Sequence, residues 1–174
     1  MRLHKTRALA RAAALAIVAL GLAPLQALAA PGLCAAQEQV LFSCRIGAKQ
    51  AAVCASPPLD ATGGNVQYRF GRPGSWPELA YPAAGSDWRA AVRGATLTFS
   101  GGGGAVLAFE RPPYRYAVYS AVGQGWGEKA GVVVDKGGRR ISVLRCTGPV
   151  LSELGPDLFA RAGIASLEGD FELP

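Results

Sequence analysis

Histidine is almost absent from this sequence of 174 residues, and its single copy is His4, near the N-terminus. The rest of the chain has no imidazole for a Ser-His-Asp triad, a Cys-His pair or a histidine metal site. Hydrolysis by two carboxylates remains open, but the spacing of the acidic residues singles out no pair. We therefore expect a protein that is not an enzyme and that binds no metal and no cofactor.

Long apolar runs are missing too. Residues 12–22 are apolar, but they fall short of the roughly 20 residues that cross a bilayer as a helix. They follow a basic start and precede Pro24 and a small-residue ending at Ala29 and Ala30, which is the order of a secretory signal peptide. The sequence predicts a signal peptide over residues 1–30. A single β-rich domain, periplasmic or secreted, is expected over residues 31–174, with no stable membrane anchor after cleavage.

A strong positive charge is absent from the predicted mature chain. The whole sequence has 18 Lys and Arg against 12 Asp and Glu, but four of the basic residues lie in the predicted signal peptide. That leaves 14 basic and 12 acidic residues, a net charge near +2. The remaining arginines are scattered and form no basic stripe, so we expect no nucleic-acid partner.

The four cysteines form no C-x-x-C pair, which argues against a zinc site and against a redox-active dithiol. An even number of cysteines in an exported chain favours two disulfides, for which three pairings are available. We favour Cys44 with Cys146, joining the first strand to the last, and Cys34 with Cys54.

Residues 40–54, VLFSCRIGAKQAAVC, predict a β-hairpin. Apolar residues alternate on both sides of Gly47 and Ala48, where the glycine suits the positive φ of a two-residue type II′ turn. A three-residue turn would shift the register by one residue and reverse the side-chain directions. With the two-residue turn, one face of the hairpin is predicted to carry Val40, Phe42, Cys44 and Val53. Across the two strands, Cys44 is expected opposite Ala51, and Cys54 opposite Leu41 on the other face.

Further alternating segments extend this pattern along the chain. Residues 71–87 are rich in proline and predict an irregular connection with one short extended piece, and Pro156 predicts the start of a helix over residues 157–162. About eight short strands at regular spacing predict an all-β fold, a small antiparallel barrel or sandwich. The strand segments after the hairpin are residues 65–70, 95–99, 105–110, 114–122, 131–135 and 139–146. In the first of them, Val66, Tyr68 and Phe70 are expected on one face.

The run SGGGGA, residues 100–105, follows a predicted strand and precedes another. A phosphate-binding loop leads into a helix and, in its P-loop form, carries a lysine, and neither feature is present here. The run predicts a flexible or strongly turned hairpin connection, and its glycines would let a partner approach the backbone closely.

Three tryptophans, Trp76, Trp88 and Trp126, fall in predicted loops rather than in strands. In exposed loops they could stack on sugar rings or anchor a partner protein. The alternative is that they close the ends of the barrel.

Four features together resemble the c-type lysozyme inhibitors of the bacterial envelope, the MliC or PliC type: FSCRIGAK, SGGGGA, WGEKA and the late Cys146. The resemblance implies a small antiparallel barrel. It also implies that Ser100 and Lys129 contact the catalytic carboxylates of a lysozyme, with Gly101 and Gly103 shaping the loop. The chain is also similar to a family of uncharacterised small exported proteobacterial proteins that share FSC, YRFG, SGGGGA and VYS segments, a similarity that implies no activity.

The sequence therefore carries three hypotheses. The first is a non-enzymatic exported binding protein whose partner is a c-type lysozyme or another envelope protein. The second is a module that binds envelope glycans through Trp76, Trp88 and Trp126. The third is a purely structural envelope protein.

Overall fold

A computed structural model describes residues 32–174, so the predicted signal peptide lies outside the described residues. In this range the chain forms eleven strands and two short helices, and eight of the strands have seven or more residues. The elements are β1 Gln39–Ile46, β2 Lys49–Ser56, β3 Asn65–Gly71, β4 Leu79–Tyr81, α1 Trp88–Ala91, β5 Val92–Phe99, β6 Gly102–Arg111, β7 Tyr114–Gly123, β8 Gly127–Lys136, β9 Arg139–Arg145, β10 Val150–Ser152, α2 Pro156–Ala162 and β11 Ala165–Ser166.

The strands form two sheets. The five-stranded sheet has the order β10-β1-β2-β3-β4, and the six-stranded sheet has the order β11-β5-β6-β7-β8-β9. All neighbours are antiparallel except β11 and β5. The sheets do not join into a closed cylinder, so the all-β prediction is confirmed as a sandwich rather than as a barrel.

The core lies between the two sheets. Alternation along β3 turns Val66, Tyr68 and Phe70 toward it, as the sequence predicts. The Tyr68 ring lies 5.7 Å from Phe109 of β6 and 5.6 Å from Tyr116 of β7, measured between ring centroids. These aromatic pairs cross from one sheet to the other, so they bind the layers together by packing.

The β1–β2 hairpin has the predicted two-residue turn, with Gly47 at a φ of 60°. Cys44 lies opposite Ala51, as expected. The predicted pairing of Cys54 with Leu41 is wrong, because a bulge between Val40 and Phe42 places Cys54 opposite Val40. The bulge lets two consecutive apolar residues, Leu41 and Phe42, both reach the core. As a result, Val40 leaves the face of Cys44 and lies with Cys54 on the outer side of the sheet.

Two disulfides link Cys34 to Cys54 and Cys44 to Cys146, which is the favoured pairing. The second bond joins β1 of one sheet to the residue after β9 of the other. Beside it the Cys146 N–H donates to Ala130 of β8 and the Thr147 N–H donates to Arg45 of β1. The chain therefore crosses between the sheets at a covalently closed corner, and the disulfides indicate an oxidising compartment.

Helix α2 begins at Pro156, as predicted, and buries Leu158, Phe159 and Ala162. The residues after it cross the outer face of the six-stranded sheet. Leu167 donates its N–H to Gly94 of β5, and the Phe171 ring lies 6.0 Å from the ring of Tyr119. This tail covers a second apolar cluster, which consists of Val106, Ala108, Ala117, Tyr119 and Val133. Both helices of residues 32–174 are too short and too polar to span a membrane.

Candidate functional site

Two hairpin tips lie side by side at one end of the six-stranded sheet. Phe99 pairs with Gly102, so the β5–β6 turn consists of Ser100 and Gly101 alone. Gly123 pairs with Gly127 across the β7–β8 turn of residues 124–126. The N–H of Gln124 in the second turn donates to the carbonyl of Gly101 in the first, at 3.0 Å. We call this surface, formed by residues 99–101, 124–126 and Lys129, the hairpin end.

Most of the glycine run is strand rather than loop. Gly102, Gly103 and Gly104 belong to β6 and have partners on both sides. The prediction of a flexible connection is therefore wrong beyond Gly101, which has a φ of 73° and makes the turn. Gly103 does not shape a loop, since it lies between Thr98 of β5 and Val122 of β7. From Gly102 onward the run is therefore part of the sheet.

Close packing explains the glycines in β6. A Cβ at Gly102 would lie 2.1 Å from the carbonyl oxygen of Val122, and one at Gly104 would lie 2.4 Å from that of Ser120. Real side chains do not approach backbone atoms this closely. These glycines therefore serve the close approach of β6 to β7.

Trp126 and Lys129 form the polar and aromatic part of the hairpin end. The indole of Trp126 covers Gly123, and its ring meets Phe99 edge-on with centroids 5.7 Å apart. The Nζ atom of Lys129 lies 5.3 Å from the centre of the Trp126 ring and donates to an oxygen atom of Pro174 at 3.0 Å. The ammonium is thus held in place by an aromatic face and one oxygen acceptor.

The structure brings some of the predicted site residues together and separates others. Ser100, Gly101, Trp126 and Lys129 share the hairpin end. Trp88 is not exposed as the glycan hypothesis requires, since only 3% of its surface is accessible and its Nε1–H donates to the carbonyl of Gly64. It belongs to the core because α1 turns it inward.

Trp76 lies elsewhere, beside the outer face of the five-stranded sheet, and is 93% exposed. The three tryptophans therefore do not form one surface. Trp76 and Trp126 lie in loops, as predicted, whereas the loop predicted at Trp88 is wrong because Trp88 begins helix α1. The exposure of these residues depends on contacts with distant strands.

A polar network holds the N-terminal segment against that same outer face. Arg69 of β3 donates to both carboxylate oxygens of Glu38, at 2.6 and 2.7 Å, and to the carbonyl of Leu33. The side chains of Cys34, Glu38 and Cys54 come close enough to hold a metal ion. Both sulfur atoms are, however, bonded to each other, so they offer no thiolate to a metal.

The charge of Glu38 is stabilised by this network. Burial disfavours the charged form, but hydrogen bonds from Arg69 and from the Ala35 N–H, with the charge of Arg69, outweigh it and lower the pKa below 4.5. A lowered pKa in the folded state means that the charged carboxylate contributes stability above its ordinary pKa. That contribution is lost as the pH falls through the folded-state pKa.

We therefore expect Glu38→Gln to destabilise the protein at pH 7 and to have a smaller effect at pH 3. Urea unfolding of both proteins at several pH values measures the gap between their free energies of unfolding. The gap should narrow as the pH falls below 4.5, the ordinary pKa of the group. A gap that stays constant across the range would contradict the assigned role of the Glu38 charge.

The fold and the cysteine pairing define a disulfide-linked, two-sheet β-protein. No family model, no curated protein and no solved structure matches the chain.

Proposed function

We propose that the protein is a non-enzymatic, exported binding protein that inhibits a c-type lysozyme by placing its hairpin end in the acidic cleft of the enzyme. One observation carries this proposal. The hydrogen bond from Gln124 to Gly101 holds the two tips together, so Ser100 and Lys129 lie at the same end of the sheet although they are distant in sequence. In this proposal the protein acts in the periplasm or outside the cell.

The chemistry of the hairpin end suits a pair of carboxylates. Ser100 is exposed at its turn and offers a hydroxyl donor. In the free protein the Lys129 ammonium donates to an oxygen atom of Pro174, so it is already oriented toward an oxygen acceptor. A carboxylate of the enzyme would accept a charge-assisted hydrogen bond from it, and such bonds are about twice as strong as those between neutral groups.

Rigidity also supports the proposal. The turn between β5 and β6 has only two residues, and β6 pairs with β5 on one side and with β7 on the other as far as Gly102. An inhibitor with a preformed contact surface loses little conformational entropy on binding. The tight packing of β6 against β7 therefore favours a contact surface that does not need to rearrange when a partner binds.

The test is the lysis of bacterial cell walls by a c-type lysozyme in the presence of the purified, oxidised protein. We expect inhibition by the unmodified protein. Lys129→Ala should weaken it about 10- to 100-fold, since a hydrogen bond to a charged group contributes about 1.5–3 kcal/mol. Ser100→Ala should weaken it less, because a neutral hydroxyl contributes less.

Lys136→Ala is the matched control. Lys136 ends the same strand, β8, and its Nζ atom also lies 5.3 Å from an aromatic ring, that of Tyr114, but at the opposite end of the sheet. Its replacement should leave inhibition unchanged. Absence of inhibition by a large excess of the unmodified protein, or equal loss in the two lysine variants, would refute the proposal.

A further inference from the structure

A hollow of about 590 Å³ opens on the outer face of the five-stranded sheet, remote from the hairpin end. The outer side chains of β3, Gln67 and Arg69, lie at its floor. The N-terminal segment with Leu33 and Cys34 forms one wall, and the connection between β3 and β4 with Trp76 forms another. The volume is within the usual range of about 300–1,000 Å³ for small-molecule sites.

The hollow has a fixed framework. The Cys34–Cys54 disulfide attaches the first wall to β2. Arg69 ties the same wall to the floor through its bonds to the Leu33 carbonyl and to Glu38. A floor and a wall fixed in this way need little ordering when a ligand enters.

Two polar groups on the floor keep donor capacity. The Nε2 atom of Gln67 donates one N–H to the carbonyl of Pro82, and the Nη2 atom of Arg69 donates one N–H to Glu38. Each nitrogen carries two N–H groups. Within residues 32–174 the second N–H of each has no protein acceptor, so both can donate to a ligand.

The wall at Trp76 is apolar and unusually open. Its side chain is 93% exposed, more than any other large apolar side chain in the described part of the chain. A flat aromatic face beside hydrogen-bond donors matches a pyranose ring, which has an apolar C–H face and hydroxyl groups around its edge.

We propose that this hollow is a saccharide-binding site in which Trp76 stacks on a sugar ring while Gln67 and Arg69 donate to its hydroxyl or amide oxygens. A free anion fits less well, because the Arg69 charge is already neutralised by Glu38 at 2.6 Å. A purely apolar ligand fits less well too, because it would cover the two floor donors without offering them an acceptor. The ligand class that satisfies both wall and floor is a neutral sugar chain.

The probe is a soluble β-1,4-linked hexamer of N-acetylglucosamine, added to the oxidised protein and followed by calorimetry and tryptophan fluorescence. We expect saturable binding. Trp76→Ala should lower the affinity about tenfold or more, since stacking and the covered area of the ring are both lost. Because Trp76 is almost fully exposed, its replacement should not unfold the protein.

Trp126→Ala is the matched control, since it removes the other accessible tryptophan at the opposite site, and it should leave the affinity unchanged. Gln67→Ala should lower the affinity severalfold. Because Gln67 is buried and also bonds to Pro82 and Arg69, the midpoint of thermal unfolding should fall too, so binding of this variant is measured well below that midpoint. The proposal is overturned if the hexamer does not bind at millimolar concentration, or if Trp76→Ala binds it as well as the unmodified protein does. Ser100→Ala and Lys129→Ala should bind the sugar normally, so this site and the inhibitory site are tested separately.

Discussion

Replacing both Cys44 and Cys146 by alanine is expected to lower the free energy of unfolding by about 5 kcal/mol. The bond spans 102 residues, and closing a loop of that length removes about 4.7 kcal/mol of chain entropy from the unfolded state in the entropic model. Cys44 is also 2% exposed in the core between the sheets. Its truncation leaves a small gap there, which adds to the loss.

The measurement is urea unfolding of the oxidised protein and of the double variant under the same conditions. A second double variant, Cys34→Ala with Cys54→Ala, is the control, because its bond spans only 20 residues. It should lose about 3 kcal/mol, since the shorter loop restricts the unfolded chain less. If the short-loop variant proves the less stable of the two, the closed corner between β1 and β9 is not the main constraint on the fold.

Local patterns predicted much of the fold. The alternation in β3 placed Val66, Tyr68 and Phe70 on one face, and Pro156 marked the start of α2. The turn at Gly47 could be predicted from the four residues of the turn alone, because glycine readily adopts the positive φ that this turn needs. These features depend on neighbours in sequence, so the sequence alone was enough to predict them.

The features that were predicted wrongly or missed depend on residues that are distant in sequence. The bulge beside Leu41 forms because the core has room for two consecutive apolar side chains, and this room is created by strands far along the chain. Trp88 is buried because its indole meets the carbonyl of Gly64, 24 positions away. The tail that covers Tyr119 has no regular spacing of apolar residues, so its packing against the sheet could not be predicted from its sequence.

The candidate hairpin end was predicted in part. The resemblance to lysozyme inhibitors singled out Ser100 and Lys129, and the strand order puts both at one end of the six-stranded sheet. The sequence could not show that the Lys129 ammonium contacts both the Trp126 ring and an oxygen atom of Pro174. The hollow beside Trp76 could not be predicted from the sequence either, because three separate segments form it, with Leu33, Arg69 and Trp76.

Substitutions at two neighbouring glycines of β6 are expected to differ strongly in their effect on the free energy of unfolding. Gly104→Ala should lower the free energy of unfolding by about 3 kcal/mol, at the upper end of the usual overpacking range. Its new Cβ would lie 2.4 Å from the Ser120 carbonyl oxygen and 2.5 Å from the Ala121 Cβ. The first of these contacts is with backbone, which cannot move aside without disturbing the pairing of β6 with β7.

Gly103→Ala is the matched control in the same strand. Its Cβ meets only the Leu97 carbonyl oxygen, at 3.1 Å, and alanine restricts the unfolded chain by about 0.5–1 kcal/mol relative to glycine. The two terms nearly cancel, so its stability should stay within about 1 kcal/mol of the unmodified protein. Thermal and urea unfolding of both variants measure the difference. Equal stabilities would mean that β6 and β7 are not packed as closely as described, and the rigidity on which the inhibitory surface depends would then lack its structural basis.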